Sequence, residues 1–220
     1  FNSYAFCGDP VMSNKLMIRS VCIILATFLF ACSEPVKTST VTDNVQVLPY
    51  QFVMPGLDRQ RSIRLYLPPS YQTSEKRYPV IYMHDGQNLF DDMTAEAGEW
   101  GVDESLNQLA EKHGLEMMVV GIDNGGDFRM NELSPWENKR FGEAQGKQYM
   151  DFIVEVVKPF IDTNFRTRED RLHTAIMGSA MGGLMSHYAA HAYPEVFSKA
   201  GIFSPSYWYS QQVFSFTQRK

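Results

Sequence analysis

The chain has 220 residues, of which 44% are hydrophobic, 13% aromatic and 20% charged. That composition suits one folded domain with its own core and excludes a disordered or fibrous protein. With 20 Lys+Arg against 25 Asp+Glu, the net charge of −5 supplies no basic surface, which sets nucleic acid aside as a partner.

The chain opens on Phe1, and residues 1–16 read as an upstream or non-native segment. Met17-Ile18-Arg19 is a short positive start to the apolar run Val21–Phe30. That run is too short to cross a hydrocarbon layer of about 30 Å and suits the core of a signal peptide. Leu29-Phe30-Ala31-Cys32 resembles the lipobox of bacterial lipoproteins, whose cysteine thiol is lipidated. An ordinary cleaved signal with an incidental Cys32 is the alternative. Residues 17–32 are therefore expected to be a lipoprotein signal peptide, 33–44 a linker and 45–220 the domain. The expected location is the bacterial cell envelope, either lipid-anchored or periplasmic and secreted, with the membrane met only through the lipid. Cys7, Cys22 and Cys32 all lie in this leader, so the domain carries no disulfide framework.

Within the domain, Val45–Met54 and Ser62–Leu67 flank Pro55-Gly56-Leu57-Asp58, which predicts an antiparallel hairpin. Pro79–Met83 is a short apolar strand leading into His84-Asp85-Gly86. Val102–His113 reads as a helix stopped by Gly114, and Met117–Ile122 as a buried strand. From Met150 to Ile161, apolar residues fall at helical spacing, with Pro159 expected to kink or shorten the last turn. Leu172–Met177 is predicted as a strand, Met181–His191 as a helix and Lys199–Phe203 as a strand. After the hairpin the order is β-α-β-α-β-α-β. Right-handed crossovers then dictate an α/β fold, a mostly parallel sheet with helices on both faces.

Between the Leu172 strand and the Met181 helix lies Gly178-Ser179-Ala180-Met181-Gly182-Gly183. A nucleophile elbow is G-x-S-x-G at just this junction, because small residues on either side allow a sharp, strained turn that lifts one side chain above the sheet edge. The lifted position is 180, and it holds alanine. Centring the elbow on Ser179 would place Met177 and Met181 where glycines belong. A plain glycine-rich β-α turn is the bland alternative.

The wider sequence resembles the esterase family of α/β-hydrolases. That family includes enterochelin esterases, S-formylglutathione hydrolases of the esterase-D type, feruloyl and acetylxylan esterases, and mycolyltransferases. The resemblance runs from about residue 45 to the end and is carried by Tyr78–Phe90, Asn131–Trp136, Ile176–Leu184, and Tyr193–Phe197 with Phe203-Ser204-Pro205. It implies an α/β-hydrolase fold and an acyl-enzyme mechanism, with Ala180 at the nucleophile position. It also implies backbone N–H groups of Met181 and Gln87 as oxyanion donors and Gly178, Gly182 and Gly183 as elbow glycines. The implied substrate is a small-molecule or carbohydrate-linked ester, with no cofactor. His84-Asp85-Gly86 and Asp123–Asp127 read equally as hydrogen-bonded turns or as substrate contacts.

In this order of elements the acid and histidine of a triad follow the nucleophile. After Ala180 there is no aspartate, one glutamate (Glu195), and His187 and His191 on the helix that follows the elbow. The domain is thus expected to be truncated at its C-terminus and inactive as written, with an unpaired sheet edge and poor solubility unless it dimerises. An altered esterase, a non-catalytic envelope lipoprotein that binds a glycan, siderophore or protein, and a partial reading ending in the Gln211–Lys220 tail are the competing accounts. No metal site is expected; the one candidate pair is His187 and His191, two imidazoles one turn apart, where zinc is the minor alternative. His113 and His173 read as surface or structural residues, and Trp136 with Tyr207-Trp208-Tyr209 as core aromatics or the lining of an aryl pocket.

Overall fold

The computed structural model describes residues 36–219, and the readings of residues 1–35, including Cys32, lie outside them. Among the described residues no helix is long and apolar enough to cross a membrane. The domain that begins at Thr38 is built on a six-stranded sheet in the order β1-β4-β6-β5-β7-β8. Its strands are β1 (Val45–Val47), β4 (Ile63–Tyr66), β5 (Val80–His84), β6 (Met118–Ile122), β7 (Thr174–Ser179) and β8 (Lys199–Phe203). β6, β5, β7 and β8 run parallel, while β4 and β1 join antiparallel at one side. The expected hairpin forms, but it is split. β2 (Phe52–Met54) and β3 (Arg59–Arg61) make a separate two-stranded ribbon, and β1 pairs β4 in the main sheet.

Two crossover directions put helices on both faces. β5 leads through α1 (Val102–His113) to β6, and the next helical region returns past β5 to β7. Strand alternation sorts the core accordingly. Ile81, Met83 and Val119 pack with Val102 and Leu106 of α1 on one face. Val80, Tyr82, Met118 and Val120 pack on the other with Met150, Ile153, Val157 and Leu184.

Between β6 and β7 the chain forms α2 (Arg129–Glu132), then α3 (Gly146–Phe152), a π-helical segment Ile153–Val157 and α4 (Lys158–Asn164). Pro159 does not shorten this helix, which continues to Asn164. Proline lacks the N–H of the regular ladder and crowds the carbonyl four residues back. The wider π turns immediately before it are where a helix absorbs such a misfit. Met150, Ile153, Val157 and Ile161 are all fully buried, as their spacing demanded. Strand β7 starts at Thr174, two residues later than expected. Asp170 caps a short 3₁₀ turn, Arg171–His173, by accepting from the Leu172 N–H at 3.0 Å.

β7 continues through Ala180 into α5 (Met181–Ala192), and β8 is the outer strand on that side, with Ile202 and Phe203 38% and 49% exposed. Residues 211–219 of the tail fold back and form α6 (Gln212–Gln218). Its Val213 is fully buried, and Phe216 packs edge-on against Trp136 and tilted against Tyr188. Residues 39–44 do not dangle either: Ser39 and Thr40 donate to Asp91, Thr42 to Asp103, and Asn44 to the Leu67 carbonyl.

Candidate active site

The carboxyl ends of β5 and β7 are neighbours, yet their following helices leave in opposite directions. Such a switch point opens a crevice above the sheet. Ala180 stands at its rim with φ 52° and ψ −115°, a conformation that side-chain-bearing residues rarely adopt. It is held there by three backbone bonds. The Ala180 N–H donates to the Phe203 carbonyl at 3.1 Å, and the Ala180 carbonyl accepts from Leu184 N–H at 3.1 Å and Ser206 N–H at 2.9 Å. The residue is half-buried and is the N-cap of the twelve-residue α5.

The flanking glycines are there because no side chain fits. A Cβ on Gly178 would lie 2.7 Å from the Gly182 carbonyl carbon and 2.8 Å from His84 Cδ2. On Gly183 it would meet the Phe203 carbonyl at 2.8 Å, and on Gly182 the His84 Cβ at 3.0 Å. Ser179, by contrast, is an ordinary residue of β7 paired with Phe203. The strained turn is therefore centred on 180.

Facing it is the turn that leaves β5. Asp85 takes a left-handed conformation (φ 57°) and starts the 3₁₀ turn Gly86–Asn88 that contains Gln87. Its carboxylate is gripped by Arg129, at 2.6 Å from Nε and 2.9 Å from Nη2, and by Asn124 Nδ2 at 2.7 Å. Burial would push this carboxyl up, but Arg129 and Asn124 hold it below the usual carboxylate range. The Gln87 side chain accepts from the Asn124 N–H at 2.9 Å, and Arg64 grips Asp123 at 2.7 and 3.0 Å. Asp123–Asp127 thus works chiefly as a cap that locks the turn. Gly86 packs so closely on β6 that a Cβ there would lie 2.7 Å from Asp123 Oδ1. The sequence did not reveal Arg129 as part of this lock, because a partner 44 residues from Asp85 leaves no local signal.

His84 is buried on the side of the elbow that Gly178 and Gly182 line, with Nδ1 2.8 Å from the Tyr149 hydroxyl and Nε2 unpartnered. Burial lowers its pKa to about 4, so it is a neutral structural ring. An unfolded imidazole takes up its proton near 6.5, while the folded one refuses it until about 4. Stability is therefore complete above about 6.5 and falls as pH drops towards 4. Denaturant titration should show about 2 kcal/mol lost between pH 7 and pH 5 from this ring alone. His84→Asn should flatten the profile by that amount, and an unchanged slope would remove the ring as its source.

The other histidines are occupied or remote. His187 holds Tyr207 at 2.7 Å with Nδ1 and Thr217 at 2.9 Å with Nε2, and His191 Nδ1 lies 3.0 Å from the His187 carbonyl. With both of its ring nitrogens used, His187 has no nitrogen left for a metal. His173 pairs with Asp170 at 2.8 Å, and His113 is exposed at the end of α1. Of the aromatics, Trp136, Tyr207 and Tyr209 serve packing, while Trp208 is 65% exposed. Trp100 lies edge-on to Phe203 (centroids 5.8 Å apart), beside the strand end that fastens Ala180.

A family model described as "Putative esterase" matches residues 55–219. The uncharacterized protein YbbA of Bacillus subtilis is 31% identical over 156 residues, covering 68% of this chain and 58% of that protein. An endo-1,4-beta-xylanase/feruloyl esterase of Xylanibacter ruminicola is 23% identical over 161 residues, 70% of this chain and 21% of that one. The chain thus spans less than two thirds of these curated relatives. Among solved structures, the BES protein of Bacillus cereus superposes with a TM-score of 0.67 at 22% identity, covering 83% of this chain and 69% of that one. Siderophore hydrolase EstA of Aspergillus nidulans gives 0.65 at 21%, covering 80% and 63%. These structural likenesses establish an α/β-hydrolase-like fold.

Proposed function

The chain belongs to this esterase family, and on that premise we propose that it is a carboxylic-ester hydrolase domain whose nucleophile position, 180, is occupied by alanine. The observation that carries the reading is the strained backbone of Ala180. A non-glycine residue at φ 52° and ψ −115° costs on the order of 1–3 kcal/mol, and a plain turn would not keep it.

In the reaction such an elbow serves, a serine hydroxyl attacks the ester carbonyl, loses its proton to a base and forms an acyl-enzyme as the alcohol leaves. Water then releases the acid. Met181, first residue of α5, and Gln87 are the proposed backbone oxyanion donors, each such donor being worth about 2.7–4 kcal/mol. The Asp85–Arg129–Asn124 lock fixes the turn that carries Gln87. The substrate is proposed to be a small-molecule ester, in keeping with relatives described as feruloyl esterase and siderophore hydrolase.

The chain of 220 residues is proposed to be inactive, having no hydroxyl at 180 and, among the described residues near it, only the buried and neutral ring of His84. This favours a second reading, a non-catalytic protein that binds an ester, glycan or siderophore through the same crevice. We place either version in the bacterial cell envelope, secreted through residues 17–32 and anchored at Cys32. Two assays test the proposal: p-nitrophenyl acetate turnover by the unaltered chain, and stoichiometric acylation of Ala180→Cys.

A further inference from the structure

Three carboxylates meet at the first turn of α1, where Glu99, Asp103 and Glu104 each bring an oxygen within 4.8 Å of the other two. Acidic residues at a helix N-terminus are ordinarily explained by the helix dipole and by accepted N–H bonds. Here that account leaves a remainder. Glu99 Oε2, Asp103 Oδ1 and Glu104 Oε2 are all shielded from solvent and accept no hydrogen bond. Asp103 is fully buried; its other oxygen is taken by Thr42, from N–H at 2.9 Å and hydroxyl at 2.7 Å, while its carboxylate abuts that of Glu104. Glu99 Oε1 likewise accepts from the Thr40 hydroxyl. Each of these two carboxylates therefore uses one oxygen to hold the 40–42 segment and leaves the other bare. Burial, with the neighbouring Asp103 and Glu99 charges, raises the Glu104 carboxyl above its ordinary value. A buried carboxylate oxygen left without a partner, as on Asp103, is costly unless something positive joins it.

We propose that Glu99, Asp103 and Glu104 form a binding site for a hard divalent cation, Ca²⁺ in preference to Mg²⁺, which ties the start of α1 to the Thr40–Thr42 segment. All the donors are carboxylate oxygens, the ligand set of Ca²⁺ and Mg²⁺. Oxygens within 4.8 Å of one another are close enough to converge on a single ion at the Ca²⁺–oxygen distance of about 2.3–2.6 Å. Mg²⁺ needs a tighter octahedron and keeps its own waters. Gly101, left-handed at φ 62° with the Glu104 carboxylate 3.3 Å from where its Cβ would be, bends the chain so that Glu99 faces the helix start. The ion would brace the loop between Gln87 and α1, next to Trp100 and its contact on Phe203. The site does not depend on the esterase reading.

Trp100 adjoins Glu99 in sequence, so it can sensitise a bound lanthanide. Chelator-stripped full chain titrated with Tb³⁺ under tryptophan excitation should show saturable emission. Ca²⁺ should displace it with a dissociation constant of about 10⁻⁴–10⁻³ M, the range of extracellular modules, and Mg²⁺ should need roughly ten times more. Glu104→Gln and, separately, Glu99→Gln should each weaken Ca²⁺ at least about tenfold while melting cooperatively without metal. Absence of Ca²⁺-displaceable emission would overturn the proposal and leave a proton shared between Asp103 and Glu104. Unchanged Ca²⁺ affinity in both variants would overturn it as well.

Discussion

Unaltered, the chain is expected to turn over p-nitrophenyl acetate at least about 10⁶-fold more slowly than a competent serine esterase, the loss seen when a serine or histidine is removed from a working triad. Ala180 offers no atom for the acyl group. What survives is binding and the two proposed oxyanion donors, which support only about 10³–10⁴ over water. Ala180→Ser alone should recover little, because a serine is a weak nucleophile without a base and the described histidines are committed elsewhere. His187 is bonded through both nitrogens, His191 is bonded to the preceding turn of its helix, and His84 is buried, neutral and bonded to the Tyr149 hydroxyl. Robust, inhibitor-sensitive hydrolysis by the unaltered chain would mean that the catalytic group lies elsewhere.

The largest expected loss of stability comes from Glu132→Ala. Glu132, 1% exposed, receives Arg61 at 2.6 Å and Arg59 at 2.9 Å. Removing one partner of a buried ion pair typically costs about 3–5 kcal/mol, because the remaining charge stays buried without compensation. Arg59 would keep Gln145 at 2.7 Å and its position 3.5 Å over the Phe128 ring. Arg61 would keep only the Met54 sulfur at 3.1 Å. The expectation is therefore about 3 kcal/mol, at the low end of that range. A shift in urea midpoint at constant slope reads it directly. Changing Arg61→Met in the same protein should return part of the loss, since an apolar replacement removes the stranded charge. A loss below about 1 kcal/mol, the scale of an exposed pair, would show that water reaches the cluster and that it is not truly buried.

The sequence conveyed the layers of the fold because each long element has one strong period. Met150 to Ile161 marks a buried helical stripe, and the runs at Val80 and Met118 are strands packed on both faces. It missed where periodicity is weak or partners are distant. Three-residue strands such as β2 and β3 are too short to show which sheet they join. Pro159 reads as a helix end only if the helix is taken to be regular throughout, and the π segment before it leaves no mark in composition. At the candidate site, the tight turn was legible because Gly178, Gly182 and Gly183 are forced by close approach of backbone to backbone and to His84. The locks around it were not. Asp85 with Arg129, Glu132 with Arg59 and Arg61, and Thr42 with Asp103 are long-range pairings of common surface residue types. The same holds for Glu99 and Asp103-Glu104, whose convergence depends on the left-handed turn at Gly101.

The central claim is that residue 180 is raised on a turn built to present a nucleophile to the start of α5, and Ala180→Cys tests it without requiring a base. A thiolate reacts by itself, and a thiol at a helix N-terminus titrates below the free-cysteine value of about 8.5. The account predicts one equivalent of p-nitrophenolate released in a single turnover, over an unaltered-chain control that carries Cys7, Cys22 and Cys32, with an apparent pKa well under that value. A thiol that titrates at or above about 8.5 and takes up no acyl group would contradict it.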